Sequence, residues 1–349
     1  SALNYNTNPV FTLTVNVQDN GTLSLEDQAT ITINLVDTNE PPVITDQVYS
    51  TTEHQPVGTQ VCTVVASGSG SGNSLSYSII AGNIGNGFSI NSYNGDLTIS
   101  NPNAVCYEGN PEFDLLVKVQ DSEGLAAEAI VKVNVMDINE NPVCNNQTFT
   151  IQENAVSNTI VGTVIATEPD FNQTLSYTIV SGNSNNAFSL DETNGLIKVN
   201  NSNALNYEEN QVFTLNVSVQ DNGIGNLITN SIITINILDV NEYPIFENQA
   251  FDVVENSAIG TPIGHLSASD PDAGQSINYT IIGGNENQTF SLNPTTGLMS
   301  VADPAFLFFD LNPVYILTVV AQDNSTDSLV TLALITINVI KELEGQIIY

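Results

Sequence analysis

The chain has 349 residues, of which 38 are acidic and only four are basic, all of them lysine, so its formal net charge is -34. Such a surface repels phosphate groups and anionic lipid, which disfavours nucleic acid and membrane surfaces as partners and favours divalent cations. Charged residues make up 12% and hydrophobic residues 41% of the chain, which is typical of folded domains and not of a disordered acidic tail. No run of about twenty apolar residues could cross a bilayer.

An aromatic residue followed by a polar one recurs at spacings of 102, 100 and 102 residues, in the pairs Tyr5-Asn6, Tyr107-Glu108, Tyr207-Glu208 and Phe309-Asp310. An aspartate lies fourteen residues after each aromatic residue, at Asp19, Asp121, Asp221 and Asp323. Constant spacing both within and between units indicates one structural unit repeated in tandem.

Every predicted element is a strand. Apolar and polar residues alternate over residues 11–17, 31–35, 213–219 and 233–237, which indicates half-buried strands of antiparallel sheets. Turns rich in asparagine and glycine, such as Asn94-Gly95 and Asn194-Gly195, suit positions that need a positive φ. About seven short strands per hundred residues predict an all-β fold of two-sheet, immunoglobulin-like sandwiches.

Three acidic segments that each end in proline mark the predicted boundaries, at residues 37–41, 137–142 and 239–244. We therefore expect the C-terminal half of one repeat over residues 1–41, followed by repeats over 42–142, 143–244 and 245–349. The first segment lacks the strands that would complete its sandwich, so either preceding residues or strands from another chain should complete it.

Three short motifs recur around these boundaries. A glutamate near the start of each repeat is found at Glu53, Glu153 and Glu255, and acidic pairs flank a proline at residues 168–170 and 270–272. Together with the aspartates after glutamine and the acidic linkers, these motifs resemble the cadherin repeat over essentially the whole chain. The resemblance implies tandem Greek-key sandwiches in an elongated array, an extracellular or cell-surface location, and calcium ions held at the linkers.

The resemblance also implies two sets of calcium ligands, with backbone carbonyls at Asn141 and Tyr243 as additional donors. The first set is Glu53, Glu108, Asp137, Asn139, Glu140, Asn141, Glu168, Asp170 and Asp221. The second set is Glu153, Glu208, Asp239, Asn241, Glu242, Tyr243, Asp270, Asp272 and Asp323.

The charges of these sets give an independent reason to expect a cation. Two like charges about 5 Å apart repel by roughly 3 kcal/mol at an effective dielectric constant near 20. Seven carboxylates per junction should therefore move apart unless cations hold them, and calcium accepts six to eight oxygen ligands in a flexible shell. Members of the family usually have an acidic residue two positions before the glutamate of the Tyr-Glu pair. Cys106 and Asn206 stand at that position here, so we expect the outermost ion of each junction to bind most weakly.

The two ends depart further from the pattern. At the first linker, Asn4 and Asn6 stand where the family has acidic residues, and residues 67–70 stand where it has the acidic pair. We therefore expect this linker to bind at most one ion, weakly. The remaining ligands would be Asp37, Asn39, Glu40 and Asp121. After residue 340 the linker motif is absent. We therefore expect no calcium-binding linker after the last repeat, which is either terminal or followed by a domain of a different type, with Glu255 and Asp310 left without partners.

Cys62, Cys106 and Cys144 are too few for a disulfide scaffold; either three buried thiols or a Cys106–Cys144 bridge is consistent with the sequence. Eight acceptor sequences for N-glycans occur, at Asn20, Asn146, Asn172, Asn200, Asn216, Asn278, Asn287 and Asn324. His54 and His265, the two histidines, have no spacing typical of catalysis, so the chain is not expected to be an enzyme.

The predicted function is calcium-dependent extracellular adhesion or spacing, in which calcium makes the joints rigid. The expected partner is another chain with the same or related repeats. The alternative is a structural subunit of an extracellular filament or matrix assembled end to end. Adhesion by insertion of an N-terminal tryptophan is excluded for this segment, because the chain contains no tryptophan.

Overall fold

The computed structural model describes residues 3–5, 7–68 and 74–342. The chain divides into two compact units. Unit 1 contains the chain up to Glu140 together with Pro169–Gln173 and Gly223–Gly225, and unit 2 contains the rest. The described residues form strands and short 3₁₀ helices, and none of their helices is long and apolar enough to span a membrane.

Unit 1 begins with an antiparallel pair of strands, β1 (Val10–Gln18) and β2 (Glu26–Asn34), in which Leu13 lies opposite Ile31. Their apolar side chains stay largely exposed, 47% for both Leu13 and Ile31, because no second sheet in the described part of the chain covers them.

A sandwich follows in the same unit. Its strands are β3 (Val43–Ile44), β4 (Gln47–Thr52), β5 (Gln60–Thr63), β6 (Ala66–Ser67), β7 (Leu75–Ala81), β8 (Phe88–Ile90), β9 (Asp96–Ile99), β10 (Glu112–Asp121) and β11 (Ala126–Met136), with 3₁₀ helices at Ile84–Asn86 and Pro102–Ala104. One sheet has the order β4-β11-β10-β7, with β4 parallel to β11, and the other has the order β5-β9-β8. The short strands β3 and β6 pair with each other.

Unit 2 contains two further sandwiches with the same sheet orders. The strands of the first are β12 (Gln147–Gln152), β13 (Ile160–Thr163), β14 (Ser176–Ser181), β15 (Phe188–Leu190), β16 (Leu196–Val199), β17 (Val212–Gln220) and β18 (Ile228–Leu238), with 3₁₀ helices at Ser184–Asn186 and Ser202–Ala204. The strands of the second are β19 (Gln249–Val254), β20 (Pro262–His265), β21 (Asn278–Gly283), β22 (Phe290–Leu292), β23 (Leu298–Val301), β24 (Val314–Gln322) and β25 (Val330–Ile340), with a 3₁₀ helix at Pro304–Phe306. The prediction of tandem all-β sandwiches is confirmed.

Each core lies between a four-stranded and a three-stranded sheet. In β17, Leu215 and Val217 are completely buried while the intervening residues are not, and Ile197 of β16 faces them from the other sheet. Two aromatic rings meet edge to face in each core, with centroids 4.9 to 5.0 Å apart in the pairs Phe88–Phe113, Phe188–Phe213 and Phe290–Tyr315. The alternation in the sequence thus corresponds to the buried faces of the strands.

The turns before β9 and β16 need glycine. Gly95 and Gly195 have φ of +76° and +71°, and an added Cβ would lie 2.8 and 2.6 Å from backbone carbonyl oxygens. Asn94 and Asn194 contribute differently, since each side-chain oxygen accepts the backbone N–H two residues later. The predicted positive φ is therefore adopted by the glycines and not by the asparagines of these turns.

All three cysteines are free, so the Cys106–Cys144 bridge considered from the sequence was wrong. Cys62 and Cys144 are buried, and burial raises the pKa of Cys62 to about 11. Cys106 is only partly buried, and its thiol donates a hydrogen bond of 2.9 Å to Glu108 Oε2.

The alternation in β17 gives a direct stability test. Replacing Leu215 by alanine should lower the free energy of unfolding of its repeat by about 2–5 kcal/mol, because the substitution leaves a cavity in a closed core. Replacing the exposed neighbour Thr214 by alanine should cost less than about 1 kcal/mol. Guanidinium unfolding followed by tyrosine fluorescence measures both; similar losses for the two variants would contradict the assigned strand face.

Candidate functional site

In the first two sandwiches a buried glutamate follows the first long strand and accepts hydrogen bonds from the backbone of two other segments. Glu53 is 0% exposed, and its two carboxylate oxygens accept the N–H groups of Tyr107 and Ile138, both at 2.8 Å. Glu153, 2% exposed, repeats this arrangement with Tyr207 and Val240, again at 2.8 Å. Through these hydrogen bonds, the glutamate connects the end of its own strand to two other segments. One is the loop that carries the aromatic-acidic pair, and the other is the segment after the last strand.

The first acidic cluster, formed by Glu53, Glu108, Asp137, Glu140 and Asp170, lies within unit 1. Carboxylate oxygens of Glu53, Glu108 and Glu140 lie within 4.8 Å of one another, and so do those of Glu108, Asp137 and Asp170. The backbone N–H of Glu140 donates to Asp170 Oδ2 at 2.9 Å. The predicted ligands in this unit are therefore brought together.

The second acidic cluster lies within unit 2 and consists of Glu153, Glu208, Asp239, Glu242, Asp270, Asp272 and Asp323. Ligand atoms of Glu153, Glu208 and Asp239 lie within 4.8 Å of one another, as do those of Glu208, Glu242 and Asp272. The backbone N–H of Glu242 donates to Asp272 Oδ2 at 2.9 Å, which repeats the contact between Glu140 and Asp170.

Burial and mutual repulsion make the ionised form of the carboxyl groups in the second cluster unfavourable. Burial, followed by the charges of neighbouring carboxylates, raises the pKa of Glu208, Asp239 and Asp270. Asp270 Oδ2 is buried and accepts no hydrogen bond. Because hydrogen bonds do not satisfy all these oxygens, the cluster can accept a positive charge.

The first cluster has the same electrostatic signature. Burial and the charges of Asp170, Glu108 and Glu53 raise the pKa of Asp137, and burial is also the main cause that raises the pKa of Glu140. Glu108 Oε1 and Glu140 Oε2 are buried and accept no hydrogen bond.

The aspartates that follow glutamine have a structural task in addition to any ligand role. Each one accepts, through its side chain, a backbone N–H of a leucine that closes the adjoining hairpin loop, at 2.9 to 3.1 Å. The pairs are Asp19 with Leu25, Asp121 with Leu125, Asp221 with Leu227 and Asp323 with Leu329. Hydrogen bonds with the loop therefore occupy part of each carboxylate.

Two glutamines that the sequence analysis did not select lie beside the linker asparagines. Gln173 Nε2 donates to Asn139 Oδ1 at 2.5 Å, and Gln275 Nε2 donates to Asn241 Oδ1 at 2.6 Å. Gln275 also reaches Asp272 Oδ2 at 3.0 Å. Both glutamines lie at the same distance from their acidic pairs, at 168–170 and 270–272, and this equal spacing could have identified them from the sequence.

The remaining predicted ligands lie in varied surroundings. Glu168 is half-buried, Asp221 is buried, and the side chain of Asn141 donates to the Ile228 carbonyl at 3.0 Å. The side chain of Tyr243 is 63% exposed, as expected if only its backbone is used. The ligand roles of all eighteen residues stay a prediction.

The first linker keeps only part of the arrangement. Asn39 Nδ2 donates to Asp121 Oδ2 at 2.7 Å, as Asn241 Nδ2 does to Asp323 Oδ2 at 3.0 Å. The bond from Asn39 is the main cause that lowers the pKa of Asp121. Asn6, Ser69 and Gly70 lie outside the described residues.

His54, which has no spacing typical of catalysis, touches the first cluster. It follows Glu53 directly at the end of β4, and its Nε2 contacts Glu140 Oε1 and lies 3.5 Å from Glu53 Oε2. Asn154 occupies the same place in the next repeat and donates to Glu242 Oε1 at 2.7 Å. The two residues share a positive φ of 54°, a conformation in which histidine and asparagine are both enriched.

At the end of the last described strand, a lysine replaces the linker aspartate. Lys341 follows β25 as Asp239 follows Leu238, and its Nζ lies 2.8 Å from Asp310 Oδ1 and 5.1 Å from the centroid of the Phe309 ring. Glu255 accepts the N–H groups of Phe309 and Glu342 at 3.1 and 3.3 Å. The expectation that Glu255 and Asp310 lack partners was wrong, because the chain supplies its own cation and backbone donors.

The raised pKa values predict how stability depends on pH when a chelator has removed divalent cations. A carboxyl whose pKa is higher in the folded state stabilises the fold below its ordinary pKa, and this contribution is lost as pH rises through the raised pKa. The unfolding temperature of the repeats around the second cluster should therefore fall, in chelator, as pH increases above the ordinary carboxyl pKa of about 4. Replacing Asp270 by asparagine should reduce that fall.

Asp191 provides a control of opposite sign. A hydrogen bond from Thr193 is the main cause that lowers the pKa of Asp191, so its ionised form stabilises the fold at neutral pH. Replacing Asp191 by asparagine should lower the unfolding temperature at pH 7, whereas the Asp270 variant should raise it. Differential scanning calorimetry measures both; a destabilised Asp270 variant in chelator would contradict the electrostatic interpretation.

Comparison with known proteins identifies the repeat. The family profile described as "Cadherin domain" matches residues 47–136, 147–238 and 249–340. Protocadherin Fat 1 of Homo sapiens is 32% identical over 352 residues, which covers 95% of this chain and 8% of that protein. Cadherin-23 of Mus musculus is 30% identical over 335 residues, covering 89% of this chain and 10% of that protein. The chain therefore spans about a tenth or less of the length of these relatives.

Solved structures share the fold. The extracellular domain of protocadherin GammaB4 matches with a TM-score of 0.69 at 23% identity, covering 97% of this chain and 56% of that one. Mouse cadherin-23 EC22-24 matches with a TM-score of 0.59 at 24% identity, covering 86% and 99%. The family profile, the relatives and the fold agree: the chain belongs to the cadherin family, whose repeats are extracellular adhesion domains and not enzymes.

Proposed function

We propose that this chain is a segment of a calcium-dependent adhesion protein, in which calcium ions bound by the acidic clusters order the linkers between repeats. The observation that carries the proposal is the second acidic cluster. It gathers acidic residues of two successive repeats and of the linker between them, and it leaves a buried oxygen of Asp270 without a hydrogen-bond donor.

The donors suit calcium. The second cluster offers carboxylates together with the amide oxygen of Asn241, which are hard oxygen ligands. Calcium takes six to eight such ligands at variable geometry, whereas magnesium demands a small octahedral shell and keeps several waters. The carboxylates of Glu208 and Asp272, which lie close to several others, would be shared between neighbouring ions.

Calcium would act on the linker through the contacts already present. Glu153 accepts the N–H of Val240, and Asp272 accepts the N–H of Glu242. An ion that neutralises the cluster removes the repulsion that opposes these contacts, so it stabilises the ordered linker over a disordered one. Because only the ordered form gathers the ligands, the order of the linker should follow the free calcium concentration.

The partner proposed for the whole protein is a second chain with the same or related repeats. The cadherin repeats found here belong to adhesion proteins, and the acidic surface disfavours nucleic acid and anionic lipid. Ordered linkers would hold the adhesive surfaces at a constant reach from the cell. N-glycans at some of the eight acceptor sequences would also be compatible with an extracellular location.

Calorimetric calcium titration of two matched variants tests the proposal. Replacing Asp239 by alanine removes a carboxylate surrounded by others, and should abolish tight calcium uptake by the second cluster. Replacing Asp37, the corresponding residue of the first linker, should leave the total nearly unchanged, since that linker lacks several of the acids.

Circular dichroism of both variants provides the folding control. Equal losses of calcium uptake in the two variants, or tight uptake that survives in the Asp239 variant, would overturn the assignment of the second cluster as a calcium site.

A further inference from the structure

The first acidic cluster has at its edge a group of donors that the second lacks. Ligand atoms of Glu53, His54 and Cys106 lie within 4.8 Å of one another. Glu53 is fully buried, Cys106 is partly buried and His54 is exposed, so the group opens to solvent on one side. The group combines an imidazole, a thiol and a carboxylate, whereas the calcium ligands proposed above are all oxygen atoms.

The chemistry of these donors points away from calcium. Imidazole nitrogen is a borderline ligand and thiolate sulfur a soft one, and both bind zinc well and calcium poorly. With zinc–ligand bonds of about 2.0–2.3 Å, neighbouring ligands of a tetrahedral ion lie about 3.3–3.8 Å apart. His54 Nε2 and Glu53 Oε2 already lie 3.5 Å apart. The two remaining separations, from the Cys106 sulfur to the other two ligand atoms, are at most 4.8 Å and within reach of a small side-chain rotation.

The next repeat shows that the fold does not require these residues. Asn154 stands at the position of His54 and makes the corresponding contact, to Glu242 instead of Glu140. Asn206 stands at the position of Cys106, two residues before the glutamate of the aromatic-acidic pair. Asparagine is therefore sufficient for the structure at both places, and histidine and cysteine add metal-binding capacity.

The thiol of Cys106 lies beside a carboxylate. Its sulfur donates a hydrogen bond of 2.9 Å to Glu108 Oε2. When a divalent cation binds, the proton leaves to solvent and a sulfur–metal bond replaces the S–H bond, while the ion neutralises the thiolate beside Glu108.

We propose that Glu53, His54 and Cys106 form a zinc-binding site at the edge of the first acidic cluster. Glu140, which contacts His54 Nε2, is near enough to supply an oxygen as the fourth ligand when the ion replaces that contact. The first cluster then binds one softer cation, and the second binds only cations with oxygen ligands. This inference does not depend on calcium binding, since the three donors belong to one repeat and their chemistry differs.

Cobalt, which reports thiolate ligation through a near-ultraviolet absorption band, tests the site. The whole chain, kept reduced and free of calcium, should bind one Co²⁺ tightly with this band, and added Zn²⁺ should displace it. The variants Cys106→Asn and His54→Asn copy the residues of the next repeat. Each should weaken Co²⁺ binding by at least about 100-fold, more than the loss of an outer-shell partner, and Cys106→Asn should also remove the thiolate band.

Cys144→Ala is the matched control, because Cys144 is a buried thiol outside the group. This variant should bind Co²⁺ as the unchanged chain does, and all variants should keep the same circular dichroism and calcium uptake. The proposal is overturned if the unchanged chain shows no thiolate band, if the band survives in Cys106→Asn, or if it disappears in Cys144→Ala. A signal that requires two chains per ion would equally exclude the site within one chain. Loss of calcium uptake alone would affect only the proposed function.

Discussion

The hydrogen bonds that a buried glutamate accepts from two backbone segments hold the rest of the site in position. In the first complete repeat, Glu53 joins the end of its own strand to the N–H groups of Tyr107 and Ile138, which belong to separate parts of the chain. Hydrogen bonds to an ionised group contribute about 1.5–3 kcal/mol each, and a buried carboxylate without them would be strongly unfavourable. Because the glutamate is satisfied by backbone, the other acidic side chains around it remain available.

The fold therefore concentrates negative charge where charge is unfavourable. The neighbours of Asp239 and Asp270 are carboxylates and not lysines, so burial and repulsion raise their pKa values. The last repeat resolves the same problem internally, since Lys341 pairs with Asp310 beside the corresponding glutamate, Glu255. Where the chain offers no lysine, an external cation is the remaining source of positive charge.

Single-residue differences between the repeats change the charge and the chemistry of the side chains at equivalent positions of the shared fold. The residue after the last strand is an aspartate in two repeats and Lys341 in the third, which exchanges a carboxylate for a side-chain cation. The residue after the buried glutamate is His54 in one repeat and Asn154 in the next, although both contact the glutamate of the linker. One scaffold thus carries clustered carboxylates, an imidazole beside a thiol, or an internal ion pair, because the backbone geometry is set by residues other than the variable ones.

The sequence alone determined the tandem period, the strands with their buried faces, and the identity of the acidic side chains, because these depend on local spacing and side-chain chemistry. Leu215 illustrates this, since alternation predicted its buried face and the sandwich covers it completely. Only the tertiary structure decided which carboxylate oxygens stay without hydrogen bonds, and that His54 and Glu140 lie beside Glu53 and Cys106. These contacts join residues far apart in the chain, so they depend on the order in which strands pair across the sheets and not on any local pattern.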